Sequence, residues 1–95
     1  MKHTYKVTEA VSTAFDIPIS EINGRSLKHR TCLARSMVYL VLRDRYAYTG
    51  GEISRLFKRD AACVSRALQQ IDHMLTYDKG LIAMNMDVIR LIDGN

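Results

Sequence analysis

From Arg30 to Tyr46 the chain runs without a glycine or a proline. Within that stretch Leu33, Met37, Leu40 and Val41 recur at helical spacing, and Ala34, Val38 and Leu42 widen the apolar stripe past half the circumference. A helix that apolar is stable only when other segments surround it. Arg43, Asp44 and Arg45 mark its return to solvent. Breakers are scarce elsewhere too, with five glycines and one proline in 95 residues. The expectation is therefore all-α: one compact five- to six-helix domain over residues 1–95, built around this central helix.

The remaining segments supply faces to cover it. From about Thr4 to Phe15, Val7, Ala10, Val11, Ala14 and Phe15 form one stripe. Asp16-Ile17-Pro18 ends it, because the residue before proline is pushed out of the α region. Ser20 to Ile22 has room for one short turn before Asn23-Gly24 breaks the chain, and Arg25-Ser26-Leu27-Lys28-His29-Arg30 leads into the long helix. Thr49-Gly50-Gly51-Glu52 has capping-box spacing and opens a short helix with Ile53, Leu56 and Phe57 inward. Lys58-Arg59 reads as a tight turn and Asp60 as an N-cap. The next helix buries Val64, Ala67, Leu68, Ile71 and Leu75. Gly80 reads as a stop, and Leu81 to Ile92 as a closing helix with Ile82, Met86 and Ile89 on one side.

Several function classes are disfavoured. The longest apolar run, Met37 to Leu42, is far too short to cross a membrane, and Met1 to Phe15 lacks the apolar block of a secretory leader. Cys32 and Cys63 stand apart with no second ligand at metal spacing, so they read as reduced thiols of a cytoplasmic protein. His3, His29 and His73 fall on three different elements, and no paired-carboxylate or nucleophile constellation is visible. No catalysis, cofactor or metal is expected, and no Gly-x-x-x-x-Gly-Lys-Ser/Thr loop is present for a nucleotide.

Charge points to a partner. From Arg25 to Arg66 ten basic residues face three acids, a local balance of +7 within a chain whose net charge is +4. A basic middle between acidic ends is the footprint expected of a protein that meets phosphates. The segment from about Thr49 to Tyr77 has the parts of a helix-turn-helix: a short capped helix, a tight turn and a longer helix. Its second helix shows Ala61, Ala62, Ser65, Arg66 and Gln69 on the face away from the core. Arg suits guanine and Gln suits adenine at major-groove edges. An ordinary helical hairpin with a polar outer face has the same periodicity.

These residues resemble a known family. Thr49-Gly50-Gly51-Glu52-Ile53, then Arg59-Asp60-Ala61-Ala62-Cys63-Val64, with Tyr39-Leu40 in the long helix and Arg25, Lys28 and Arg30 before it, are similar to the C-terminal DNA-binding domain of the bacterial replication initiator DnaA. A copy of that domain is also appended to some transposases. The resemblance covers about Val7 to Ile92. It implies double-stranded DNA as partner, in replication or its regulation, transcription or mobile-element biology. The DNA-contacting set it implies is Arg25, Lys28, Arg30, Arg35, Lys58, Arg59, Asp60, Ala61, Ala62, Ser65, Arg66 and Gln69. Arg25 resembles the arginine that enters the minor groove. The family's base-reading His-Thr-Thr is Ala61-Ala62-Cys63 here, so a different site preference is expected. The rival reading is a protein-interaction module, with Asp72, Asp78, Asp87 and Asp93 near Met74, Met84 and Met86 as its surface. Oligomeric state is not legible.

Overall fold

A computed structural model describes residues 2–94; Met1 and Asn95, the ends of the expected single domain, lie outside the described residues. Six helices follow one another: α1 (Lys2–Phe15), α2 (Ile19–Ile22), α3 (His29–Tyr46), α4 (Gly50–Phe57), α5 (Ala61–Met74) and α6 (Lys79–Asp93), with no strand among the described residues. The fold is a compact all-α globule with a radius of gyration of 12.0 Å. No helix is long and apolar enough to cross a membrane.

α3 is the central helix that its apolar circumference demanded. It packs against α1, α2, α4 and α5, and Ala34, Met37, Val38, Tyr39, Leu40, Val41 and Leu42 are all buried. α1 lies across it through Val7, Ala10, Val11 and Phe15 and also contacts α6. α1 ends where the proline rule placed the boundary, with Asp16 in the left-handed region at φ 55° and the Ser12 hydroxyl donating to the Ile17 carbonyl at 2.6 Å. α3 ends in the same manner: Ala47 takes φ 58°, its amide bonds the Arg43 carbonyl, and the Tyr48 amide bonds that of Leu42. That is a Schellman-type closure made without glycine.

α4 opens on the expected capping box. The Glu52 amide donates to the Thr49 hydroxyl at 3.1 Å, and the Thr49 amide donates to the Glu52 carboxylate at 2.8 Å. The turn to α5 spans residues 58–60, with Lys58 at φ 53° and the Ser54 hydroxyl donating to the Arg59 carbonyl at 2.6 Å. α5 buries Val64, Leu68 and Ile71; Ala67 and Leu75 are half-buried, and Leu75 lies just past the helix end. Asp60 holds the N-cap position, but its side chain makes no capping bond.

Two expectations about the last helix are corrected. Gly80 does not stop a helix; it lies in the first turn of α6, which begins at Lys79 behind Asp78, whose carboxylate accepts from the Leu81 amide at 3.0 Å. The buried face is Leu81, Val88 and Ile92, whereas Ile82 and Met86 face solvent and Ile89 is half-buried. Lys79, Asp87, Arg90 and Asp93 mark the polar face, and Ile82 and Met86 fall on that side, so orienting the helix by those two apolar residues turned it outward.

Candidate nucleic-acid interface

The interface candidates fall on four elements: the loop before α3, α3 itself through Arg30 and Arg35, the α4–α5 turn, and α5 as far as Gln69. In α5 the inward stripe fixes what is left outside. With Val64, Leu68 and Ile71 buried, Ala61, Ala62, Cys63, Ser65, Arg66 and Gln69 are all exposed. The first turn therefore presents two methyl groups and a thiol, and the next presents a hydroxyl, a guanidinium and a carboxamide.

The loop and α5 face one cleft. An open groove of about 350 Å³ runs between Leu27 on the loop side and Cys63, Arg66 and Gln70 on the helix, with Tyr39 and Arg59 also on its walls. Tyr39 is buried in the core beneath it, packs edge-on against Phe57 at 5.3 Å, and has its phenol pushed above the usual range by burial.

The basic residues divide into two kinds. Arg35, expected among the DNA contacts, is corrected to a structural role: it is 8 % exposed and its guanidinium is occupied. Nε donates to the Ile22 carbonyl at 2.8 Å, Nη1 to that of Ser26 at 3.2 Å, and Nη2 to those of Gly24 at 3.2 Å and Glu21 at 3.4 Å. A planar fork with five donors suits this task, gathering carbonyls from the end of α2 and from the loop after it. Arg59 is half-buried and donates to the Gly24 carbonyl, while its Nε is buried without a partner. Arg30 is exposed, yet its Nη2 donates to the Phe15 carbonyl at 2.6 Å, and its guanidinium lies 5.5 Å from the Phe15 ring centroid. A cation at that helix end also complements the partial negative charge there.

Arg25, Lys28, Lys58 and Arg66 are exposed and in no ion pair among the described residues. Arg55 on α4 shares that condition, a cation that contributed to the charge count but carries no sequence motif. Asp60 stands exposed beside Lys58 at the head of α5, and the acids that form ion pairs lie elsewhere. Arg43 holds both Asp44 and Asp72, the latter with two bonds of 2.8 and 3.0 Å, and this keeps the Asp72 carboxyl below its usual range. Arg45 pairs with Asp93, and Arg90 with Asp87 at 2.9 Å. Of the acids in the rival interaction surface, Asp72, Asp87 and Asp93 are in ion pairs and Asp78 caps α6. Met74 and Met84 are half-buried against the core, leaving Met86 exposed.

Sequence reading missed Leu27. It is 87 % exposed, the most exposed large apolar side chain among the described residues, and sits between Arg25 and Lys28 at the edge of the cleft. Its position between cations was the available signal. Cys32 and Cys63 are free thiols, half-buried and exposed respectively, and no group of three or more metal-ligating side chains occurs among the described residues. No protein-family model matches the chain, and no curated protein matches it.

Proposed function

We propose that this chain binds double-stranded DNA, with α4 and α5 acting as a helix-turn-helix and the basic loop before α3 as a second contact. The observation that carries this reading is the division of charge. Arg43, Arg45 and Arg90 are paired with carboxylates, while Arg25, Lys28, Lys58 and Arg66 are left unpaired around the exposed first turns of α5. Unpaired cations beside a helix end whose outer face is small and polar suit a polyanion with a groove to enter. The resemblance to the initiator's DNA-binding domain supports the same assignment through motif spacing.

In this reading α5 enters a major groove, Ser65 and Gln69 meet base edges, Arg66 on the cleft wall holds the strand beside them, and Ala61 and Ala62 offer methyl contacts to thymine. Lys58 and Lys28 hold phosphates, and Arg25 enters the neighbouring minor groove, whose narrow A·T-rich form attracts arginine. Arg35 and Arg59 set the loop's shape. The biological setting is replication or its regulation, transcription or mobile-element movement, with DNA binding as the shared act.

Titration of duplex DNA across a range of salt concentrations tests the reading. Neutralisation of about four phosphates by Arg25, Lys28, Lys58 and Arg66 gives a slope of log affinity against log salt of about −3 to −4. Binding that ignores salt, or no duplex binding from low to physiological salt, defeats it.

A further inference from the structure

We propose that Leu27 is a wedge that enters the minor groove and opens a base step, a role that rests on the DNA-binding reading above. A single exposed leucine is ordinary on a protein surface. This one differs in how it is held. On its N-terminal side the Gly24 carbonyl accepts from both Arg35 and Arg59, and the Ser26 carbonyl accepts from Arg35 at 3.2 Å. On its C-terminal side the Lys28 amide donates to the Ser26 hydroxyl at 3.3 Å, and α3 begins at once. The backbone on both sides is pinned while the side chain stands 87 % exposed. A loop ordered before binding loses little conformational entropy when it inserts.

Charge and position select the occupant. Arg25 and Lys28 flank Leu27, and no carboxylate occurs from Asn23 to Thr31; Glu21, the nearest, accepts from the Thr31 hydroxyl at 2.8 Å. A greasy tip inside a cationic collar fits an apolar site rimmed by phosphates. Leu27 also stands across the cleft from Arg66 on α5. The two grooves of a duplex are separated by one sugar-phosphate strand. With α5 in the major groove, a strand seated in the cleft brings Leu27 to the adjacent minor groove. Apolar side chains placed there part the stack and kink the duplex, most readily at pyrimidine–purine steps. Arg25 then anchors the groove beside the opened step.

The test uses the full chain and A·T-rich 20-base-pair duplexes, each with one TA step carrying 2-aminopurine and the set placing that step at every position. Wild-type protein should raise the probe's fluorescence at least threefold in one register, since the probe brightens when unstacked. Leu27→Ala should still bind with the same salt slope but about tenfold more weakly, and without the rise in fluorescence. Leu27→Met should restore it. Binding by wild type without a fluorescence change in any register, or an equal rise with Leu27→Ala, overturns the wedge and leaves DNA binding standing. Failure of wild type to bind any of these duplexes, or binding without a salt slope, overturns the DNA reading itself and the wedge with it.

Discussion

Arg59, in the turn between α4 and α5, donates to the carbonyl oxygen of Gly24, a residue thirty-five positions earlier in the chain. The basic loop and the helix pair are thereby one surface, and Arg35 secures the same oxygen from α3. A contact so distant in sequence means that a loop variant and a turn variant can have the same consequence.

The first prediction separates arginines that build the surface from cations that use it. Arg35→Lys keeps the charge but loses the fork, leaving the carbonyls of Ile22, Gly24 and Ser26 with fewer donors. Its expected cost is about 2–4 kcal/mol of stability, in the range for a buried, charge-assisted network. Lys28→Ala should leave stability within about 0.5 kcal/mol, as exposed substitutions do, and reduce the salt slope by about one. Urea unfolding and duplex titration of both variants check this. An Arg35→Lys chain as stable as wild type contradicts the structural role.

The second concerns Lys58, whose φ of 53° is a conformation that favours glycine. Lys58→Gly should raise stability by about 0.5–1 kcal/mol, the left-handed cost of a side chain offset by glycine's greater freedom when unfolded. It should also weaken duplex binding and lower the salt slope by about one. Opposite signs in stability and affinity distinguish this variant from one that damages the fold. Loss of both indicates that the lysine side chain packs the turn.

The third is a pH dependence. The Thr49 amide and then the Thr49 hydroxyl hold the Glu52 carboxyl below its usual value, and Arg43 does the same for Asp72. Both groups have lowered folded-state values, so their stabilisation is complete above the unfolded values of about 4.3 and 3.9 and fades as pH falls through the folded ones. The Asp72 pair is surface-exposed and contributes at most about 1 kcal/mol. Thermal unfolding from pH 7 to 2 should show stability falling below about pH 4.5. Glu52→Gln, which can still close the box but carries no charge, should flatten part of that fall. Superimposable curves for the two chains exclude the Glu52 contribution.

Local chemistry was legible in the sequence, and tertiary chemistry was not. Thr49 and Glu52 are three residues apart, so the capping box follows from spacing alone. The central helix is equally plain, because only burial suits so many apolar residues. Arg35 looked like any other cation of the basic stretch, since its acceptors lie nine to fourteen residues away, at the end of α2 and in the loop that follows it. α6 was placed but misoriented, because Leu81 and Val88 on one side compete with Ile82 and Met86 on the other. The exposed face of α5 was read correctly from its inward stripe. Leu27 was passed over because contacts were sought among polar and charged side chains, yet it stands 87 % exposed.

The last prediction assigns base choice to Ser65 and Gln69 and strand contact to Arg66. Ala61, Ala62 and Cys63 occupy the exposed first turn of α5 but offer two methyl groups and one weak donor. A helix entering the groove by its N-terminus next presents Ser65 and Gln69, one turn apart on one face. Arg66 lies about 100° further round, on the wall of the cleft with Leu27. That position favours the strand in the cleft over a base edge. Arg66→Ala should therefore weaken binding evenly across a panel of duplexes and lower the salt slope by about one. Gln69→Ala should cost about 1–3 kcal/mol on the preferred duplex and flatten preference at one base pair. Ala61→His, Ala62→Thr and Cys63→Thr together restore the initiator's His-Thr-Thr and should shift preference towards its box. A flattened preference with Arg66→Ala instead would place its guanidinium on a guanine. Changes below twofold in all of these variants would mean that α5 is not the reading helix.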